Sequence, residues 1–216
     1  MEDEKMSKSV GNVIRPLDLA DNYGVDPLRY FLMRDMVLGQ DASYSFASFM
    51  SRYNSDLAND FGNLVNRVTI LIHKNFEGKV PLPGILEDAE NDILNITNET
   101  VDKVRAAISE LKIHDAIELI MSVFRKLNKY LEFRAPWKQV KENNSTGSPA
   151  ATCLYTSINV LYKNALLLHP IMPTKIDSIL AMIGQECPDN IFHVQLLKEN
   201  LKLGKDKSPF PRIEKK

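Results

Sequence analysis

The sequence predicts an all-α protein: an antiparallel helix bundle preceded by a loop and short helices. Three observations carry that expectation. Apolar residues recur at steps of three and four along most of the chain, as one buried helix face requires. Strand-like alternation is missing before the last fifteen residues. Segments rich in Gly, Pro, Asn and Ser cut the pattern into helix-length pieces, and several amphipathic helices on short connections make an antiparallel bundle.

Taken in order, residues 5–15 form a polar loop with glycine and serine. Pro16 suits the first turn of a short helix over 17–23, which Gly24 stops. Asp26 has the chemistry of an N-cap, with Pro27 behind it, for a helix running through Arg34. The longest pattern, 46–75, steps through Leu57, Phe61, Leu64, Val65, Val68, Leu71 and Ile72, and is expected to be one helix. Pro81 and Pro83 punctuate the turn 78–84, and an acidic helix follows over 87–111. A further helix over 114–134 buries Ala116, Ile117, Ile120, Phe124, Leu127 and Leu131; Ala135 and Pro136 terminate or bend it before Trp137. Residues 143–149 are a loop, 150–169 a helix broken at Pro170 and Pro173, and 174–183 a short helix stopped by Gly184. The tail 198–216 holds seven basic and three acidic residues and is expected to be partly extended around Phe210. The domains are thus 1–45, a loop and short-helix unit, 46–197, the bundle, and 198–216, a basic tail packing on it.

At 216 residues and 44% hydrophobic, the chain can bury a core and is too apolar for a disordered one. Twenty-seven basic against 28 acidic residues exclude polyanion binding through bulk charge, so any nucleic-acid contact must be local. Only Cys153 and Cys187 are present, which excludes a disulfide scaffold and a cysteine-based zinc site. His73, His114, His169 and His193 show no metal-ligand spacing and read as structural. No apolar run is long enough to span a bilayer.

The motif at the front carries chemistry. Lys5-Met6-Ser7-Lys8-Ser9 resembles the KMSKS signature of class I aminoacyl-tRNA synthetases. Gly11-Asn12-Val13-Ile14, Pro16, Tyr23-Gly24-Val25-Asp26 and Leu28-Arg29-Tyr30-Phe31-Leu32 resemble the stretch directly after that signature in the methionine, leucine, isoleucine and valine enzymes. The bland reading of the five residues alone is a solvated basic loop; the continuation weighs against it. Activation of an amino acid is attack of its carboxylate on the α-phosphate of ATP, with negative charge growing on the phosphoryl oxygens and departing pyrophosphate. Ammonium groups on a mobile loop lower that barrier and then release product. The resemblance implies Lys8 as principal and Lys5 as supporting catalytic residue, with Lys5, Met6, Ser7, Lys8 and Ser9 together binding ATP, which arrives with Mg. Asn12 fits either loop bracing or a phosphate contact.

Beyond residue 40 the chain resembles the methionyl-tRNA synthetase family, in its bacterial and mitochondrial branch. The phrases are Asp41 and Tyr44-Ser45 before Phe46, the run Arg52 to Arg67 (RYNSDLANDFGNLVNR), and Ala135-Pro136-Trp137-Lys138. An indole beside a helix-ending proline can plug a bundle or offer its face to a base; the resemblance implies that Trp137 stacks on the anticodon. It also implies Asn63, whose amide donates and accepts, and Lys74 as anticodon contacts. Lys74 lies eleven residues after Asn63, close to three helical turns, so both side chains share a face. The family often has arginine at this position, and lysine lacks its planar fork. Arg67 and Lys126 fit phosphate contacts or a solvated helix face equally well. Phe31, Met33 and Met36 read as packing residues.

The resemblance thus implies part of a methionine–tRNA ligase: a KMSKS loop, short stem-contact helices and a class Ia anticodon-binding bundle. Partners are tRNA(Met), with ATP and methionine met through a catalytic domain upstream, since no HIGH-type motif is found. Alone, the chain is expected to be inactive, monomeric and free of bound metal. The alternatives are a catalytically silent tRNA-binding module and a fragment of another class Ia enzyme such as the leucine one. The expected compartment is the mitochondrial matrix, the alternative the bacterial cytoplasm.

Overall fold

The computed structural model describes residues 16–41, 44–204 and 209–214. Among these residues the regular structure is helical, with one isolated antiparallel bridge between Lys79 and Lys202. Helix α1 (Pro16–Tyr23) and helix α2 (Val25–Asp35) are separated by Gly24 at φ 95°, a left-handed position that favours glycine. Asp26 is not the cap expected of it. It lies inside α2, buried, and its carboxylate accepts the Lys175 amide at 2.6 Å, so it caps a helix distant in sequence.

The stretch 46–75 is one rod in three parts. Helix α3 (Phe46–Arg52) begins at a capping box of Ser45 and Ser48, a π-helical segment occupies Tyr53–Gly62, and helix α4 (Asn63–Asn75) completes it. A π turn advances each residue through a smaller angle than an α turn, so Asp56, Leu57 and Ala58 can all face inward, and all are buried. This corrects the expected single α-helix: within the segment the pattern offers only Leu57 and Phe61, and their step of four fits both kinds of turn. The tail meets this segment: Phe210 is buried with its ring centroid 6.4 Å from that of Tyr53 and 5.8 Å from that of Phe61. Asn54 holds Ile213 from both sides, donating to its carbonyl at 2.9 Å and accepting its amide at 3.0 Å.

Helices α5 (Asp88–Ser109) and α6 (Ile113–Arg134) form a hairpin whose short connection uses Leu111 at φ 59°. Ala135 adopts the left-handed conformation (φ 46°, ψ 54°) and ends α6; Pro136 starts helix α7 (Pro136–Glu142). Helix α8 (Pro149–Leu168), capped by Ser148, is the centre of the bundle: from Ala150 onward every residue except Lys163 is buried. Only a helix covered on all sides can be so uniformly buried, and α4, α5, α6, α7 and α9 (Pro173–Ile183) all pack on it. Phe61 and Phe124 stack at 4.3 Å between the π segment and α6.

Candidate nucleic-acid interface

Helix α4 is amphipathic in the ordinary way, burying Leu64, Val65, Val68, Thr69 and Ile72. Its outward face presents Asn63, Arg67, Ile70 and Lys74, spaced by four, three and four residues, and therefore one stripe. At 1.5 Å per residue the stripe is about 16 Å long. Asn63 and Lys74 are both exposed.

Trp137 joins this stripe from another element. The left-handed residue Ala135 ends α6 and sets Trp137 in the first turn of α7, half-buried and packed on the core. The Arg67 guanidinium carbon lies 5.2 Å from the centroid of its ring, a cation–π pair. Arg67 Nη1 also donates to the Asn128 side-chain oxygen at 3.5 Å, and the Asn128 side-chain amide donates to the Asp60 carbonyl at 2.9 Å. The sequence leaves Arg67 between a phosphate contact and a solvated face; the structure puts it against the indole. The pairing joins residues 67 and 137, and no local pattern reveals it. Lys126 is exposed on α6. Lys5, Met6, Ser7, Lys8 and Ser9 lie outside the described residues, as does Asn12.

The turn that carries Trp137 is braced from α5. Glu90, 2% exposed, accepts from the Tyr130 hydroxyl, from Arg134 Nε at 2.8 Å and from the Glu87 amide at 3.1 Å. Burial pushes this carboxyl up, but the bonds from Arg134 and Tyr130 outweigh it and hold Glu90 below the usual range. Burial also pushes the neighbouring Cys153 thiol up to about 12, so it stays protonated and unreactive.

Helix α2 is tied to the bundle. Arg29 donates to the Ile171 and Pro170 carbonyls at 2.7 and 2.8 Å, satisfying oxygens just past the end of α8. The Tyr30 hydroxyl donates to buried Asp56 at 2.8 Å, and Arg34 and Arg125 both bind Glu118. Phe31 sits in this core, 5.6 Å from Phe49 between ring centroids, and Met33 packs against it. Among the histidines, His73 bonds the Gly204 carbonyl and His169 bonds Asp177, both at 2.9 Å.

Residues 90–209 match the family described as the anticodon-binding domain of tRNA ligase. The chain belongs to that family. Residues 1–69 match the class I tRNA synthetases of the methionine (M) type. A methionine–tRNA ligase of Brucella suis is 40% identical over 181 residues, 84% of this chain and 35% of that protein. One from Caldanaerobacter subterraneus is 34% identical over 217 residues, covering 99% of this chain and 34% of its own length. The chain therefore spans about a third of these relatives. The Mycobacterium tuberculosis methionyl-tRNA synthetase bound to methionyl-adenylate superposes with a TM-score of 0.90 at 36% identity, over 96% of this chain and 42% of that one. The all-α bundle expected from the sequence is the fold observed.

Proposed function

We propose that this chain is the part of a methionine–tRNA ligase that reads the anticodon of tRNA(Met) and supplies the ATP-phosphate loop, and that it works within the complete enzyme. The observation that carries the reading is the Arg67–Trp137 pair, which sets Trp137 of α7 against the α4 stripe that also bears Asn63 and Lys74. A base entering this convergence meets two flat surfaces, indole and guanidinium, on which any base can stack. Stacking alone does not discriminate; the Asn63 amide, which both donates and accepts, supplies the edge contact that does. Lys74 meets backbone phosphate, as does Lys126, exposed on α6. With a net charge of −1, binding must come from these placed groups.

At the other end, Lys8 and Lys5 stabilise charge on the triphosphate as methionine attacks the α-phosphate, and Met6, Ser7 and Ser9 shape the loop. Mg would enter with ATP. Among the described residues no cluster of three or more His, Cys, Asp or Glu is arranged to hold a metal. In this reading the domains are 1–45, 46–197 and 198–216, and the protein acts as a monomer. The Brucella and Caldanaerobacter relatives are bacterial and lend no support to the mitochondrial matrix, so cytoplasm is the compartment this reading takes.

The test is Trp137→Ala. One lost stack, about 1–3 kcal/mol, should weaken binding of an anticodon hairpin roughly 5- to 150-fold. Unchanged affinity returns Trp137 to the core and removes the observation on which the reading rests.

A further inference from the structure

A recess of about 300 Å³ lies between α5, Lys163 of α8 and the segment 191–194, and none of its lining residues belongs to α4 or α7. We propose that this recess is a binding site for a small phosphate monoester, with the phosphate held by Lys163 and Arg105 and the organic body against Val101, Ile191 and Val194. The inference is independent of anticodon reading, which uses other residues on other helices.

Helix α8 comes to the surface at one place. From Ala150 onward its other residues are buried, and the exception is Lys163, which lines the recess. An apolar side chain there would simply extend the core. A lysine instead brings an ammonium into a half-enclosed position, and burial pushes its pKa below the usual lysine value, a cost that a bound anion offsets. The ammonium has three donors. Asn98 Oδ1 takes one at 3.0 Å, and no carboxylate pairs with Lys163 among the described residues, so two donors are left for a ligand.

Helix α5 supplies the second cation. Asn98, Val101, Asp102 and Arg105 follow at steps of three, one and three, which sets them on one helix face along the recess. The Arg105 guanidinium carbon lies 5.4 Å from the centroid of the Phe192 ring, so its plane is steadied by a cation–π contact while its edge N–H groups stay available. Phe192 is itself fixed, its amide donating to Asn190 Oδ1 at 3.0 Å. His193 adds a third donor. Unlike His73, His114 and His169, it has no partner among the described residues, which sets it apart from the structural histidines expected of the sequence. Asp102 is the one carboxylate of the lining, and the two cations outweigh it. Donors from three side chains match the three oxygens of a phosphate better than the two of a carboxylate. Val101, Ile191 and Val194 offer the apolar surface for a body that must be small, since the volume is at the low end of the roughly 300–1,000 Å³ of small-molecule sites.

The experiment titrates the full chain with phenyl phosphate and with inorganic phosphate by calorimetry, for the wild type, Lys163→Met, Arg105→Gln and the control Lys129→Met, an exposed lysine of α6 outside the recess. Arg105 is exposed, so Arg105→Gln keeps the fold, and thermal melts check each variant. Phenyl phosphate should bind one site with a Kd of about 1 mM or tighter, and inorganic phosphate about three- to tenfold more weakly, as expected for part of a ring burial. Lys163→Met and Arg105→Gln should each weaken phenyl phosphate at least about tenfold, the equivalent of one lost charge-assisted hydrogen bond, while Lys129→Met leaves it within about twofold. Saturating anticodon hairpin should not displace it. The site falls if phenyl phosphate binding does not saturate, if either folded recess variant binds like wild type, or if Lys129→Met weakens binding as much as they do. Equal affinity for the two phosphates overturns the monoester in favour of a bare anion, and displacement by the hairpin overturns it in favour of RNA phosphate.

Discussion

Replacing Glu90 by glutamine keeps the volume of the side chain and removes its charge, at the point where α5 braces the turn leading to Trp137. In the native protein this carboxylate binds Arg134, whose side chain is 18% exposed, through Nε at 2.8 Å and again through Nη2, and it accepts the Tyr130 hydroxyl. Hydrogen bonds to charged groups are worth about 1.5–3 kcal/mol against about 1 for neutral ones. Two such bonds weakened, and an amide group now facing donors, give a loss of about 2–4 kcal/mol, near the lower part of the range for broken buried pairs. At about 2–4 °C per kcal/mol for a chain of this size, the melting midpoint should fall by roughly 5–15 °C. The pH dependence has a definite sign. Burial raises the Glu90 carboxyl, but Arg134 and Tyr130 more than offset that, so its folded pKa lies below its unfolded value of about 4.3. The stabilisation is therefore complete above about pH 4.3 and is lost as pH falls through the folded pKa. The gap between wild type and Glu90→Gln, measured by circular dichroism, should be constant near neutrality and close in acid. A gap below about 0.5 kcal/mol at pH 7, or one that does not shrink in acid, refutes the reasoning.

Two further changes probe other parts of the molecule. Gly62→Ala places a Cβ 2.9 Å from the Leu57 carbonyl oxygen and 3.3 Å from the Phe210 Cβ, so it should destabilise the chain by about 1–3 kcal/mol in a urea melt; a stability equal to wild type would show that the tail yields freely. Lys8→Ala, made in the complete ligase, should slow methionine-dependent ATP–pyrophosphate exchange by at least about 100-fold while leaving tRNA affinity within about twofold. An unchanged exchange rate removes its proposed role.

Much of the fold was legible in the sequence because burial in this chain follows helical periodicity. The hairpin of α5 and α6, the stop at Ala135 and the left-handed cap at Gly184 all rest on local signals. The π segment did not show, since Leu57 and Phe61 fit either turn and its wider winding accompanies contacts made by Phe210 and Ile213 some 150 residues away. Asp26 looked like a local cap because its residue type says only that it accepts a backbone amide; the fold supplies the amide from Lys175. The shared face of Asn63 and Lys74 comes from 3.6 residues per turn, whereas the Arg67–Trp137 pair depends on how α7 returns to α4.

The decisive measurement is equilibrium binding of the chain to a tRNA(Met) anticodon hairpin carrying CAU and to the same hairpin with its anticodon exchanged, at one fixed salt concentration. The proposal predicts a preference for CAU of about tenfold or more, the equivalent of one lost base contact, and its disappearance in Asn63→Ala. Equal affinities for the two hairpins would contradict it.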